Sequence, residues 1–128
     1  MYGDSHQVSA EASGLASGAL YVISVAARLV ELHPTTLRKY ERVGFLEPSR
    51  TPGRTRLYSR EDIRRLRQIK HLLDDREVNL AGVHMALDLT ELLTQIANAI
   101  QEAPDVVSLR RQVEAPLRAA FATLGALE

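Results

Sequence analysis

The residues that could do chemistry in this sequence lie between positions 35 and 58, in TTLRKYERVGFLEPSRTPGRTRLY. Arg38, Lys39 and Arg42 belong to a short helical segment. Arg50, Arg54 and Arg56 crowd an adjoining loop that closes on Tyr58. Cations attract phosphate oxygens, and an arginine fork also fits the O6 and N7 of guanine. Bases on a helix and on a neighbouring loop could touch a nucleic-acid backbone at two places while the helix enters a groove. Thr35, Thr36, Arg38 and Lys39 occupy the first half of that helix, the end that meets base edges. Arg38 forked on guanine would contribute ~1–3 kcal/mol of discrimination. Arg50, Arg54 and Arg56 are expected to hold phosphates or the minor groove beside it, with Tyr58 grouped on the same surface.

Other chemistries are excluded by what is missing. There is no cysteine, which removes disulfides, thiolate zinc sites, iron–sulfur clusters and thiol redox switches. His6, His33, His71 and His84 form no metal-binding pair at helical spacing, so no metal and no cofactor are expected. No nucleophile–base pair and no glycine-rich phosphate loop suggests an enzyme. No apolar run approaches the length of a membrane span, and the N-terminus lacks the pattern of a signal peptide, so a cytoplasmic protein is expected.

Charge is segregated along a chain whose net charge is zero. Residues 1–23 carry a net of −2, residues 24–76 a net of +6 and residues 77–128 a net of −4. A basic middle beside an acidic end suggests a polyanion-binding domain joined to a part with another task.

Several elements must position the arginines. Residues 1–20 are rich in Ser, Gly and Ala and read as a flexible tail. Tyr21, Val22 and Ile23 could form a short strand. Ser24 is expected to cap a first helix that runs to about Leu32. His33-Pro34 marks a break, with His33 a turn residue. Thr35 to Val43 then make a second helix ended by Gly44, which gives a helix-turn-helix. Pro52-Gly53 signals the turn of a small hairpin, or wing, over Pro48 to Tyr58. Ser59 and Asp62 resemble a capping box for a third helix with the apolar stripe Ile63, Leu66, Ile69, Leu72 and Leu73. Its bases, Arg60, Arg64, Arg65, Arg67 and Lys70, are expected to be mostly solvated. Asn79 can cap a fourth helix. Two further apolar stripes, with Leu92, Leu93, Ile96 and Ile100 before Pro104 and Val113 and Leu117 after it, lack a basic face and call for a partner, most simply a second copy of the chain.

The order of these elements, with TLRKYERVGFLEPSR and RLYSREDIRRLRQI, resembles the DNA-binding domain of the MerR family of transcription regulators over roughly residues 21–89. Within that family, YVISVAARLVELHPTTLRKYERVGFLEP and HLLDDREVNLAGVHMALDL are similar to the HspR heat-shock repressors. The resemblance implies a mainly α fold: a winged helix-turn-helix with a small β wing over 21–89, then dimerisation helices over 90–128. It also implies that Arg38 and Tyr40 contact DNA, Tyr40 at a phosphate. Three residues after Leu37, Tyr40 could equally pack in the core. Lys39 stands where the family often has a first of two tyrosines, and Gly53-Arg54-Thr55-Arg56 where it often has Gly-Tyr-Arg.

A two-fold dimer would read an inverted repeat in double-stranded DNA. If it neutralises ~8 phosphates, log K should fall with log salt at a slope near −7. The absence of cysteine removes thiolate sensing, and the residues after Pro104 are too few to enclose a drug pocket. Resemblance to the heat-shock repressors implies a DnaK-type chaperone as co-repressor. Two alternatives stand beside this expectation: a MerR-type activator answering another signal, and a chaperone modulator that binds protein and not DNA.

Overall fold

The computed structural model of the protein describes residues 19–126. The chain divides into two compact units that meet at Glu77 and Val78. Among the described residues no helix is long and apolar enough to cross a membrane. The tail expected over 1–20 lies outside the described residues except for its last two positions. Those two are structured: Ala19 is buried and Leu20 opens a strand.

In the first unit, β1 (Leu20–Val22) runs directly into α1 (Ile23–Val30), and α2 (Pro34–Arg42) follows after a tight turn. β2 (Ser49–Arg50) and β3 (Arg56–Ser59) make the wing, and α3 (Arg60–Lys70) leaves it. The sheet has three antiparallel strands in the order β1-β3-β2, with Tyr21 opposite Tyr58 and Arg50 opposite Arg56. The sequence predicts the β2–β3 hairpin and a short strand at Tyr21 to Ile23, but not that the two pair. β1 joins the hairpin because the far edge of β3 would otherwise present unpaired backbone groups.

Pairing with β3 also explains why α1 starts ahead of Ser24. Val22 is held extended and takes the N-cap position without a side-chain hydrogen bond. α1 ends at Val30, before the expected Leu32. Glu31 turns left-handed at φ 58°. The Leu32 amide then donates to the Ala27 carbonyl at 2.9 Å, and the Glu31 amide to that of Arg28 at 3.2 Å. α2 begins with Pro34, whose missing N–H is not needed in a first turn, and His33 Nδ1 accepts from the Thr35 amide at 3.0 Å. It ends as α1 does, at Gly44 with φ 86°. The Phe45 amide reaches back to the Tyr40 carbonyl at 3.0 Å, and the Tyr40 and Phe45 rings lie 5.8 Å apart. That pairing supplies the apolar contact which accompanies such a turn.

The core of this unit is Ala26, Ala27 and Val30 from α1, Leu37 and Tyr40 from α2, Phe45 and Leu46 from the turn after α2, Tyr58 from the wing, and Ile63, Leu66 and Ile69 from α3. Burial of one such Leu or Ile side chain contributes ~1.5–3 kcal/mol. The capping box at the start of α3 has both arms. Ser59 Oγ accepts from the Asp62 amide at 3.0 Å, and Asp62 Oδ2 accepts from the Ser59 amide at 2.9 Å. A π-helical turn, His71–Asp75, extends α3 and carries Leu72 and Leu73 off the stripe into half-buried positions.

The second unit is a helical hairpin. α4 (Leu80–Glu102) is capped by Asn79, whose Oδ1 accepts from the Gly82 amide at 2.7 Å. It passes through 89 and 90 without a break, so the boundary expected there falls inside one helix. Ala103 and Pro104 end it. Asp105 then caps α5 (Val106–Thr123) by accepting from the Ser108 amide at 2.7 Å. So short a connection folds α5 back along α4. Pro116 lies inside α5, buried, and the helix continues past it.

Candidate nucleic-acid interface

Helical spacing sorts the side chains of α2. Leu37 and Tyr40 point into the core, whereas Thr35, Arg38, Lys39 and Arg42, at steps of three and four, form one exposed strip. The side chains of Arg38, Lys39 and Arg42 make no hydrogen bond or ion pair among the described residues. Thr36 sits at the edge of the strip, half-buried.

Beside this strip the wing bends back toward α2. Glu41, on the flank of α2, accepts from Arg56 Nε at 2.5 Å through Oε1 and from Arg50 Nη2 at 2.6 Å through Oε2. Arg50 Nη1 also donates to the Arg54 carbonyl at 3.3 Å. Burial works against ionisation of Glu41, but its hydrogen bonds to Arg56 and Arg50 and their positive charges outweigh it. The carboxyl is held below its usual range. Arg50 and Arg56 are therefore not the unpaired loop cations that their spacing suggests. Glu41 stands out in sequence only as an acid amid bases, and nothing local reveals that it meets both wing arginines.

The wing turn is built from Thr51 to Thr55. Thr51 and Thr55 pair through the Thr51 amide and Thr55 carbonyl at 3.0 Å, and the Arg54 amide donates to the Thr51 carbonyl at 2.7 Å. Arg54 takes the left-handed position at φ 71°. Gly53 does not need its freedom, because a Cβ there would meet only Thr51 Oγ1 at 3.7 Å. A cation is thus held at the tip, in a conformation that disfavours it.

One expected contact is corrected by burial, and one open reading is narrowed. Tyr58 is fully enclosed, its hydroxyl unpartnered, and it fills the core under the wing instead of facing a ligand. Burial first, and the nearby Glu41 charge second, push its hydroxyl above the usual pKa. Tyr40 is 7% exposed, so its ring takes the core role that the sequence left open.

The bases of α3 also depart from expectation. Arg65 Nε donates to the Phe45 carbonyl at 2.5 Å, Arg67 Nη2 to the Leu29 carbonyl at 3.2 Å, and Lys70 Nζ to the Val30 carbonyl at 3.2 Å. They satisfy the carbonyls left open at the end of α1 and in the turn after α2. Arg60 and Arg64 stay exposed, with Arg64 paired to Glu61 at 2.8 Å.

Residues 21–90 match the family described as MerR HTH family regulatory protein. The chain belongs to the MerR family. It is 42% identical over 106 residues to a Streptomyces coelicolor protein assigned as heat shock protein HspR, covering 80% of this chain and 70% of that one. It is 32% identical over 90 residues to the HTH-type transcriptional regulator GlnR of Bacillus cereus, covering 70% and 69%. In fold it is similar to HiNmlR, a MerR family regulator lacking the sensor domain and solved bound to promoter DNA. There the TM-score is 0.53 and the identity 20%, with 84% of this chain and 76% of that one covered. As a MerR-family chain this protein is a DNA-binding transcriptional regulator, which gives the exposed strip of α2 its chemical context.

In the second unit the stripes split into two kinds of position. Leu92 and Ile96 share a face of α4 with buried Ala99, and Val113 shares one of α5 with buried Pro116. These half-buried residues lie along the seam of the hairpin itself. Leu93, Ile100 and Leu117 are 61%, 62% and 44% exposed.

Proposed function

We propose that the chain is a homodimeric repressor of heat-shock (chaperone) genes that binds an inverted-repeat operator, with a DnaK-type chaperone as co-repressor. The observation that carries DNA recognition is the unpaired strip Thr35, Arg38, Lys39 and Arg42 on a helix whose opposite face is locked in the core. In this reading Thr35, Thr36, Arg38 and Lys39 enter the major groove, and Arg54 and Arg56 meet backbone phosphates on either side. Arg50 orders the loop between them. The 42% identity to HspR supports the heat-shock assignment.

Dimerisation falls to Leu93, Ile100 and Leu117. On an antiparallel hairpin, positions one step round from the seam on each helix lie on the same side. The three residues therefore form one apolar face suited to a second copy. Leu92, Ile96 and Val113 support that face from within the protomer.

Genome-wide binding of the tagged protein in its own host, before and after a heat step, tests the proposal. Sites upstream of chaperone genes that empty on heating are expected, and purified DnaK-type chaperone should restore occupancy. Sites elsewhere that ignore heat would leave a MerR-type regulator with another signal, and no sites at all would favour a protein-binding modulator.

A further inference from the structure

Glu41 is the acid that faces the wing from α2, and it engages two arginines through separate oxygens. Its side chain is only 19% exposed, so the pair is poorly screened by solvent. Counted together, Glu41, Arg50 and Arg56 carry one net positive charge where the two arginines alone would carry two. The two arginines are not held alike. Arg50 uses one terminal nitrogen on Glu41 and the other on the Arg54 carbonyl. Arg56 is held by Nε, and its two terminal nitrogens make no hydrogen bond among the described residues.

We propose that Glu41 is a positioning residue for DNA recognition: its carboxylate ties the wing arginines to α2, so that Arg56 can reach a phosphate only in the register that α2 sets in the groove. This inference rests on the DNA-recognition reading of the α2 strip. On unrelated sequence α2 does not seat, no phosphate is delivered to Arg56, and the carboxylate keeps both arginines engaged, offsetting one of their two charges. On a matching site, seating of α2 brings the backbone to the free end of the Arg56 guanidinium while Nε stays on Glu41. A long arginine side chain without that tether would find phosphates on any sequence. The carboxylate thereby lowers non-specific affinity more than specific affinity, which widens the ratio between them.

The test uses the full-length chain and duplexes selected from a randomised pool by the wild type, beside a duplex of unrelated sequence. Affinities are measured across a salt series. Glu41→Gln keeps the size and one acceptor but removes the charge. It is expected to raise affinity for the unrelated duplex on the order of tenfold at low salt and to steepen its salt slope by ~1–2. The ratio of selected to unrelated affinity should fall by about the same factor, while Glu41→Asp, which keeps the charge, stays near the wild-type slope. Should Glu41→Gln fold poorly, Arg56→Gln decides: it should flatten the salt slope on the selected duplex and leave that on the unrelated one nearly unchanged. Equal changes on both duplexes, for either variant, would overturn the inference and make Glu41 a brace of the wing only. A wild type that selects no sequence would instead overturn the DNA-recognition reading beneath it.

Discussion

Lys70 Nζ donates to the backbone carbonyl of Val30 at 3.2 Å, so a base near the end of α3 caps the end of α1. Arg67 does the same for Leu29. The bases of this chain therefore serve two ends, and substitution can separate them. Lys70→Met keeps the alkyl stem but loses the donor, and should lower stability by about 1 kcal/mol. Thermal unfolding would show this, with the salt slope of DNA binding unchanged. A flattened slope would move Lys70 to the DNA surface.

Arg38→Ala should act in the opposite sense. Its side chain is exposed and holds nothing in the protein, so thermal unfolding should not change. Discrimination at one base pair of the site should fall by ~1–3 kcal/mol. Competition binding against a set of single-base variants of the selected duplex measures it. A uniform loss across all variants would assign Arg38 to the backbone.

Among the described residues, three other than glycine hold left-handed backbone: Glu31 at φ 58° in the turn after α1, Arg54 at φ 71° at the wing tip and Glu77 at φ 52°. Glycine relieves that conformation, and substitution at either of the first two should raise stability by about 1 kcal/mol or somewhat less, because glycine also frees the unfolded chain. Glu31→Gly should leave DNA affinity intact. Arg54→Gly should weaken it on every sequence. The contrast, read by melting temperature and binding together, would show that strain at the wing tip is retained for the cation it presents.

Tyr58 predicts the alkaline limit of the fold. Its buried hydroxyl resists ionisation in the folded state, so its pKa lies above the unfolded value of 10.0. Stability from this group is complete below that pH and is lost as pH rises toward the folded pKa. Tyr58→Phe should remove this contribution and the unpartnered hydroxyl together. Unfolding in denaturant should show equal or higher stability at neutral pH and a shallower decline above about pH 10.

The hairpin face gives a test of assembly. Leu93→Glu with Ile100→Lys places charge on exposed positions of α4 without entering the seam. Sedimentation should show a monomer that keeps its helical content. DNA binding should weaken steeply, because one recognition helix alone holds half the site. A dimer that survives both changes would place its interface elsewhere.

Much of the positioning scaffold was legible from local signals. Pro34 at a helix start, Gly44 at a helix end and the Ser59–Asp62 box act over a few residues, and each does in the structure what its spacing predicts. The stripe Ile63, Leu66 and Ile69 is likewise a local periodicity, and it is buried. Where sequence misled, a distant partner intervened. The start of α1 moved because β1 pairs with β3. Tyr58 turned inward because the wing closes over the core.

The amino-acid sequence by itself determined the helix-turn-helix, the wing, the basic strip of α2 and the family. These depend on caps, turns and helical spacing, which operate within a few residues. Only the tertiary structure decided which cations remain available. Arg50 and Arg56 meet Glu41, and Arg65, Arg67 and Lys70 meet carbonyls of other elements. A charge finds its partner across space, and no spacing along the chain records which of these groups the folded backbone will bring within hydrogen-bonding distance.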